Sequence, residues 1–444
     1  MKNNIKIFIF VITVIVFVNS HKCGIHLLST PKRVLYSETS PDVGEENIDL
    51  STWSPIRIHF DFSNFPEKYK DLRNYLDEHI LSKVSQIFAS FLKVHPYKSP
   101  ISLSPNSCSP IDIPKNFTFF SDVVIFVSTD EIYPERRVEA AAIHCVQSSI
   151  TKRPIVGYIK YSPTLKFNST NQADVSYLIW LSLHEITHIL VMNKGLYSDY
   201  VDRKTNEELG SDVVLSRRVM SNNVKSRYSF IKTPKVMEKA RKHFNCELIE
   251  GVPLENKGGA GTTMSHWSKK YMNTDYMIGD SYIENILSEI TLALFEDSGW
   301  YDVDYTKANL FVWGKGKGCD FFNLQCMSNL KTLFKDEFCM EPNQEVCSIT
   351  KKSRGLCDME KENGEYKGTN SLMDKCPIPG DFIEITKDDD DEEEKEIKEK
   401  GQHYYYNSCR YGVRKNIELE NIGENSSCFN GRYKKKKDSI ALCL

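Results

Sequence analysis

The chain has 444 residues, of which 40% are hydrophobic and 26% charged, so a globular protein of two or three domains is expected. Its 57 basic and 60 acidic side chains give a formal net charge of -3, which argues against a protein that binds a nucleic-acid backbone. Thirteen cysteines are unusual for a reducing compartment and ordinary for a disulfide-bonded secreted protein.

The N-terminus has the pattern of a secretory signal peptide. Lys2 and Lys6 precede an almost unbroken apolar run over 7–18, and small residues follow near Ser20. Such a run spans about 18 Å as a helix, short of the roughly 30 Å of a bilayer core, so cleavage near Ser20 is favoured over an uncleaved anchor. Residues 1–20 are therefore predicted to be the signal peptide of a secreted or surface-associated protein.

Residues 21–50 are polar and show no periodicity, so they are interpreted as a linker or pro-segment, with order beginning at Trp53. Beyond it, alternating apolar residues favour strands, and apolar residues every three to four positions favour amphipathic helices. Residues 140–145 fit either a strand or a buried helix, and 196–265 is expected to be mostly polar loops. The other predictions are strands over 56–62, 123–127 and 155–159, and helices over 72–91, 175–192, 234–244 and 283–295.

The last third of the chain is rich in cysteine. Nine of the thirteen cysteines lie from Cys319 onward, which predicts a loop-rich region held by disulfides. The like-charged run 388–394 is interpreted as a solvated loop, with an acidic calcium site as the alternative. Three sequons are candidate glycosylation sites, at Asn116, Asn168 and Asn425.

The strongest chemical signal is the motif His184-Glu185-Ile186-Thr187-His188 inside the predicted buried helix. Residues four apart lie on one helix face, so both imidazoles can bind one ion. Zinc accepts histidine nitrogen and keeps one position for water in catalytic sites, and Glu185 is placed to take a proton from that water. Two core histidines beside a buried glutamate are the disfavoured alternative, because an unpaired buried carboxylate is costly.

Two histidines leave the metal short of a third protein ligand. The sequence offers His266, which follows a glycine-rich run, or Glu284 or Glu289 on the later helix. The compact arrangement, with a third histidine six residues after the second, is absent because position 194 is lysine. The residues by themselves leave the third ligand open.

Several motifs in register resemble the leishmanolysin family, in the metzincin clan of zinc peptidases. The matching segments are the helix motif, 257–261 (Lys-Gly-Gly-Ala-Gly), 265–267 (Ser-His-Trp), 275–277 (Asp-Tyr-Met), 295–301 and 153–159. The resemblance covers residues from about 50 to 330 and, more loosely, the cysteine-rich tail. It implies that His184, His188 and His266 hold one zinc per chain, with Met277 in the methionine turn beneath the metal.

The resemblance also implies an α+β fold. It divides the chain into a metzincin-type catalytic domain of twisted sheet and long helices over 51–195, a middle subdomain over 196–302 and a disulfide-rich domain over 303–444. The implied activity is a zinc endopeptidase acting on extracellular or surface polypeptides, with Glu185 as general base for a zinc-activated water. The strand near 157–159 is expected to pair with an extended substrate. The alternative is an inactive relative that acts in adhesion or binding.

One position departs from the family pattern. The family has glycine three residues after the second histidine of the motif, and this chain has Val191. A β-branched residue is a poor occupant of positive φ, so the helix is expected to run on by a turn and to end at Asn193 or Gly195.

The odd number of cysteines has a meaning under the same resemblance. His21-Lys22-Cys23 resembles the His-X-Cys of the leishmanolysin pro-segment, whose thiolate is proposed to cap the zinc. Setting Cys23 aside leaves twelve cysteines, enough for six disulfides. Residues 21–50 are therefore predicted to be a pro-segment with a cysteine switch. The alternative is that Cys23 pairs elsewhere and another cysteine is free.

Overall fold

The computed structural model describes residues 34–35, 46–130, 138–165, 171–221, 224–259, 262–280, 285–323, 326, 332–342, 344–347, 354–362 and 364–383. The helices are Lys70–Tyr75, Ser82–Phe91, Gln172–Leu190, Pro234–Phe244, Lys269–Met272, Glu289–Asp297 and Asp320–Asn323, with a π-helical stretch, Leu76–Leu81, joining the first two. The strands are β1 (Val34–Leu35), β2 (Ser54–Pro55), β3 (Ile58–Asp61), β4 (Leu92–Val94), β5 (Ile101–Leu103), β6 (Phe117–Phe119), β7 (Val123–Thr129), β8 (Ala140–Gln147), β9 (Pro154–Tyr161), β10 (Val214–Ser221), β11 (Val224–Ile231), β12 (Val252–Pro253), β13 (Asp302–Val303), β14 (Glu345–Cys347), β15 (Arg354–Cys357), β16 (Met359–Glu362), β17 (Glu365–Gly368) and β18 (Pro379–Ile383).

The largest sheet has five strands in the order β1-β8-β9-β7-β3. Strands β3, β7 and β9 run parallel to one another, whereas β8 is antiparallel to β9. Because both faces of this sheet are covered, β7, β8 and β9 are nearly continuous apolar runs. Successive residues of β7 point to opposite faces of the sheet and belong to two hydrophobic cores. Ile125 lies in the main core, which includes the helix Gln172–Leu190, and Phe126 lies in a smaller core, which includes β5. This mixed helix and sheet architecture agrees with the predicted α+β class.

The strand over 155–159 lies inside the sheet and does not border a cleft. It forms part of β9, which is hydrogen-bonded to β8 on one side and to β7 on the other. The expectation that residues 157–159 pair with a substrate is therefore wrong, because both edges of that strand are already paired. Strand β8 lies nearer the edge of the sheet. Among the described strands its outer neighbour is β1, which pairs with only two of its residues, Val146 and Gln147.

Ordered contacts begin earlier than the predicted start at Trp53. Glu46 accepts hydrogen bonds from the Tyr97 hydroxyl (2.5 Å), the Ser149 hydroxyl (2.6 Å) and the Ile150 N–H (3.1 Å). The partly buried carboxylate of Glu46 thus connects the end of the polar segment to the turn between β8 and β9. Composition did not reveal this contact because its partners lie about 50 and 100 residues away.

The middle of the chain contains a hairpin that the sequence analysis assigned to polar loops. β10 pairs with β11 in antiparallel register, from Val214 opposite Ile231 to Ser221 opposite Val224. Its alternation of apolar residues with arginine, lysine and serine is the usual pattern of a half-exposed strand. The two asparagines between the strands are a turn signal that could have found it. The short helix Pro234–Phe244 follows as predicted.

Disulfides hold the later part of the chain, as its cysteine content predicts. Three of the four bridges formed between described residues involve cysteines from position 319 onward. The fourth joins the loop before β6 to β8. The bridges are Cys108–Cys145, Cys246–Cys319, Cys326–Cys376 and Cys339–Cys357. None of the helices within the described ranges is long and apolar enough to cross a membrane.

His144 is an ionisable group in the interior of this sheet. It lies in β8 opposite Gly157 of β9 and is buried. Its Nδ1 has no hydrogen-bond partner among the described residues. Burial lowers the pKa of His144 to about 4, because the charged imidazolium is poorly solvated there.

This burial predicts a loss of stability in mild acid. A histidine of the unfolded chain titrates near 6.5 and His144 in the folded chain near 4, so the unfolded state binds more protons between these values. Between pH 7 and pH 5, His144 should lower the free energy of unfolding by about 2 kcal/mol. Urea unfolding of wild type and His144→Leu at both pH values should show that extra loss in wild type only. Equal losses in both proteins would show that His144 is not the cause of the lower stability. Burial also lowers the pKa of His243 to about 4, but His243 is present in both proteins and therefore does not contribute to the difference between them.

Candidate metal centre

The motif histidines lie near the end of the helix Gln172–Leu190, named here the motif helix. Asn171 caps its start by accepting a hydrogen bond from the Ala173 N–H (3.0 Å). The second half of the helix is buried on all sides, which explains why its sequence is apolar rather than amphipathic. His184 and His188 are one turn apart and therefore project from the same face.

Three imidazoles meet at this face although His266 is 78 residues from the nearer motif histidine. The Nε2 atom of His184 is 3.1 Å from that of His188 and 3.1 Å from that of His266. The remaining pair, His188 and His266, is 3.2 Å apart. All three rings are buried.

The other nitrogen of each ring is held by a backbone carbonyl. The pairs are His184 Nδ1 with Tyr276 (2.6 Å), His188 Nδ1 with Met192 (2.7 Å) and His266 Nδ1 with Thr262 (3.0 Å). A carbonyl oxygen only accepts, so each Nδ1 carries the hydrogen and each Nε2 presents a lone pair. The backbone thereby sets both the tautomer and the orientation of every ring.

The residues present fit a metal ion. Three lone pairs turned toward one point, with no hydrogen between them, repel one another and are stabilised by a cation. Nitrogens 3.1–3.2 Å apart can all lie about 2.0–2.1 Å from one ion, the usual zinc–histidine distance. In the described part of the chain this trio is the one grouping of three potential ligands.

The loop that carries His266 depends on its glycines. Gly258 and Gly259 have φ values of +80° and +90°, which side chains rarely adopt. The turn that they form brings the Thr263 N–H to the Gly259 carbonyl (3.0 Å). The His266 carbonyl then accepts from the Glu255 N–H (2.8 Å), which fixes the histidine against the preceding strand-like segment.

The predicted methionine turn adjoins this loop. Met277 is buried, and its carbonyl accepts from the N–H of Trp267, the residue after His266 (3.0 Å). The Tyr276 carbonyl holds His184, and the Tyr276 hydroxyl bonds the Thr187 hydroxyl of the motif helix (2.8 Å). The turn therefore joins the motif helix to the third-ligand loop through hydrogen bonds on both sides.

Asp275 is a buried residue of this turn to which the sequence analysis assigned no role. It accepts hydrogen bonds from the Met277 N–H (2.9 Å) and from the hydroxyls of Ser288 (2.5 Å) and Thr291 (2.8 Å). Burial raises the pKa of Asp275 to about 6, and these hydrogen bonds oppose that rise. An aspartate at the start of a turn gives no sign in the sequence that it is buried.

The helix ends where the family pattern places its end, despite Val191. It stops at Leu190, and Val191 caps it with φ -151° and ψ -51°. The expected extra turn to Asn193 or Gly195 is therefore wrong: negative φ is open to a β-branched residue, so glycine is not required. The chain turns after Leu190 and brings the Met192 carbonyl to His188 Nδ1. This turn therefore helps to orient a candidate metal ligand.

Glu185 is buried beside the histidine cluster, one residue along the helix from His184. Its carboxylate lies close enough to the Tyr161 hydroxyl to add to the rise that burial causes in the pKa of Tyr161. The same hydroxyl bonds Ser182 (2.7 Å). Glu185 thus lies next to the metal ligands without being one of the three converging groups.

The sequence left two glutamates, Glu284 and Glu289, as alternatives for the third ligand. Glu289 is about half-exposed (47%) and its carboxylate pairs with Lys239 (3.0 Å). It is not part of the histidine cluster. Glu284 lies outside the described residues.

The remaining candidate residues are on the surface or outside the described ranges. Asn116 is exposed in a turn just before β6, a position open to glycosylation. Outside the described residues are Cys23, Asn168, Asn425 and the run 388–394.

A narrow cleft opens beside His184. It is walled by aromatic residues of the motif helix, Tyr177 and Trp180, and by Tyr276 of the methionine turn. The Trp180 and Tyr276 rings are 5.8 Å apart. Apart from this opening, the metal ligands and Glu185 have little contact with solvent, since none of them is more than 6% exposed.

Comparisons with known proteins agree on one family. The family model described as Leishmanolysin matches residues 69–441. The chain is 30% identical to the leishmanolysin-like peptidase of Drosophila pseudoobscura pseudoobscura over 70% of its own length and 52% of the fly protein. It is 25% identical to the leishmanolysin-like peptidase of Caenorhabditis briggsae over 86% of its length and 72% of the worm protein. It is 24% identical to the leishmanolysin of Leishmania major over 69% of its length and 51% of that protein. The chain thus spans about half the length of the fly and Leishmania proteins.

Proposed function

The chain belongs to the leishmanolysin family of peptidases, and on that premise we propose that it is a secreted zinc endopeptidase acting on extracellular or surface polypeptides. One observation carries the proposal: three histidine Nε2 lone pairs converge beside a buried glutamate, with every Nδ1 already donated to a carbonyl. Lone pairs that converge on one point repel one another, and a cation held between them removes that repulsion.

The residues have distinct roles in hydrolysis. When bound, zinc lowers the pKa of a water ligand towards about 7 and polarises the substrate carbonyl. His184, His188 and His266 would hold the ion through their Nε2 atoms. Glu185 accepts a proton from the attacking water at a carboxylate oxygen and then donates it to the nitrogen of the leaving amine. The low exposure of these residues strengthens such electrostatic interactions.

The proposal keeps the three-part division of the chain. Residues 51–195 supply the sheet and the motif helix, 196–302 supply the third ligand and the methionine turn, and 303–444 form the disulfide-rich part. Signal cleavage near Ser20 places the protein in the secretory route, which suits its disulfides.

A binding or adhesion protein without peptidase activity is not favoured. Its one support in the sequence is Val191, and a normal helix end at this residue leaves the His188 contact with Met192 in place. The ligands and the general base are all retained.

A peptidase assay with and without chelator tests the proposal. The processed protein should hold one zinc per chain and cleave unstructured polypeptides, and removal of zinc should abolish cleavage. Added zinc should restore it, because the ligand rings are held by the backbone independently of the ion. Zinc binding without cleavage of any denatured protein or peptide library would favour a binding role instead.

Latency through Cys23 is part of the same proposal. The four bridges between described residues use eight of the thirteen cysteines; the other five are Cys23, Cys347, Cys409, Cys428 and Cys443. Two further bridges among the last four would leave Cys23 free to bind the metal. A thiolate ligand at about 2.3 Å would fill the position that water needs.

We expect the unprocessed protein to be inactive and a mercurial to activate it, because modified sulfur cannot remain a ligand. Cys23→Ser should be active without treatment. A fluorogenic peptide assay on both proteins measures this, with N-terminal sequencing to show that residue 21 is still present. Equal activity of the two unprocessed proteins would mean that Cys23 is an ordinary thiol.

A further inference from the structure

Asp275 has a fully buried carboxylate, and both of its oxygens accept hydrogen bonds. Its Oδ1 accepts from the Met277 N–H (2.9 Å). Its Oδ2 accepts from the hydroxyls of Ser288 (2.5 Å) and Thr291 (2.8 Å). Ser288 caps the start of the helix Glu289–Asp297 by accepting from the Thr291 N–H (3.1 Å). One side chain therefore connects the methionine turn to the start of that helix.

A first route leads from this carboxylate to the third ligand. The indole N–H of Trp267 donates to the Thr291 hydroxyl oxygen (2.8 Å). An indole nitrogen only donates, so the Thr291 hydroxyl gives its own hydrogen to Asp275. Hydrogen bonds in such a series polarise one another, and a charged acceptor at the end strengthens them. Trp267 is fully buried and directly follows His266, so the carboxylate restrains the chain beside this ligand.

A second route leads to the first ligand. The bond from the Met277 N–H to Asp275 closes the turn around Tyr276. The Tyr276 carbonyl, which lies inside this turn, accepts from His184 Nδ1 (2.6 Å). Because the turn sets the direction of that carbonyl, the acceptor that closes the turn also restrains the imidazole. The Met277 carbonyl accepts from the Trp267 N–H (3.0 Å), so the two routes meet.

The two routes need two acceptor oxygens. Burial raises the pKa of Asp275 to about 6, so the carboxylate is mostly ionised at neutral pH and both oxygens accept. Asparagine has nearly the same shape, but it has one acceptor oxygen and an amide nitrogen that only donates. The donors to Asp275 lie on two sides, so Asp275→Asn breaks at least one of the routes.

We propose that Asp275 is a positioning residue of the metal centre, whose carboxylate sets the orientation of His184 through Tyr276 and of His266 through Trp267. Asp275 itself is not one of the converging ligands. The inference rests on the metal site of the proposed function and does not require peptide cleavage. A residue that only stabilised the fold would change the free energy of unfolding and leave the geometry of a bound metal unchanged.

Zinc affinity and the visible absorption of bound Co²⁺ test this role without a substrate. The processed protein carries Glu185→Gln to prevent self-cleavage. Asp275→Asn should lower zinc affinity about 10-fold, since an outer hydrogen-bond partner of a ligand contributes roughly 10–100-fold and Asp275 acts one bond further out. Competition with a zinc-binding dye measures this affinity. The absorption bands of Co²⁺, which depend on the geometry of its ligands, should shift in the same variant.

Three further variants accompany this measurement. Thr291→Val removes only the route to the third ligand and should lower zinc affinity by a smaller factor than Asp275→Asn. Thr291→Ser keeps the hydroxyl and should keep the affinity. Asp297→Asn is the matched control, because it changes a carboxylate that accepts from the Val236 N–H (2.9 Å) at the start of the helix Pro234–Phe244. It should lower the free energy of unfolding and leave zinc affinity and the Co²⁺ bands unchanged.

The outcomes separate this inference from the proposed function. Unchanged zinc affinity and Co²⁺ bands in Asp275→Asn would overturn the inference, even in an active peptidase. An equal loss of affinity in Asp297→Asn would also overturn it, because lower stability would then explain both variants. If Asp275→Asn does not fold, equal affinities of Thr291→Val and Thr291→Ser would overturn it. The expected changes in a protein whose Glu185 form cleaves no substrate would uphold the inference and overturn the proposed function.

Discussion

Glu185→Gln should lower kcat/KM of the processed protein by about 10²–10⁴-fold, the usual contribution of a general base. Glutamine has nearly the same shape but cannot accept a proton, so the packing around the motif helix is kept. Zinc content should remain at one per chain, because the three converging groups are histidines and Glu185 is not among them. The measurements are steady-state hydrolysis of a fluorogenic peptide and metal analysis of the same sample.

A matched control separates loss of the base from loss of a negative charge. Glu289→Gln makes the same change at a half-exposed carboxylate that pairs with Lys239. It should leave kcat/KM within about twofold, since surface ion pairs contribute little. If Glu185→Gln keeps near-normal activity, another residue accepts the proton and the proposed mechanism is wrong.

His266→Ala should remove the metal and, with it, the activity. The substitution deletes one of three Nε2 atoms that lie 3.1–3.2 Å apart. Loss of an outer hydrogen-bond partner of a ligand typically costs roughly 10–100-fold in metal affinity, and loss of the ligand itself should cost more. Competition titration with a zinc-binding dye on the processed protein measures the affinity. The processed form is used so that the proposed thiolate ligand, Cys23, does not contribute to the measured affinity.

Two variants accompany this measurement. His79→Ala removes an exposed histidine from the helical segment 70–91 and should keep full zinc affinity. Glu289→Ala tests the alternative ligand left open by the sequence and should also keep zinc. If Glu289→Ala loses zinc while His266→Ala retains it, the third ligand is a glutamate and the assignment of His266 fails.

Regular local patterns predicted much of the fold. The apolar run over 175–192 indicated the motif helix, found at Gln172–Leu190, because helix burial is encoded in side chains a few residues apart. The runs over 123–127 and 155–159 predicted β7 and β9 for the same reason. Residues 140–145, ambiguous by periodicity, proved to be β8, where both faces are covered and no alternation is needed.

Features that depend on residues distant in the sequence could not be predicted from local patterns. The order of strands placed β9 inside the sheet, although its sequence resembled a cleft strand. Asp275 and Glu46 also bind groups 13 to 104 residues away, and their roles depend on these contacts. Neither contact has a local signature, because a single carboxylate in a polar stretch looks the same whether it is buried or solvated.

The sequence by itself determined the candidate ligands and the candidate general base. Two histidines four apart on a helix must share a face, and the family resemblance added His266. Only the tertiary structure decided how these rings are held. The acceptors of their Nδ1 hydrogens are the carbonyls of Tyr276, Met192 and Thr262. Every residue has a carbonyl, so its side chain does not reveal this role, and only packing of the turn and loop against the motif helix selects which carbonyls meet the rings.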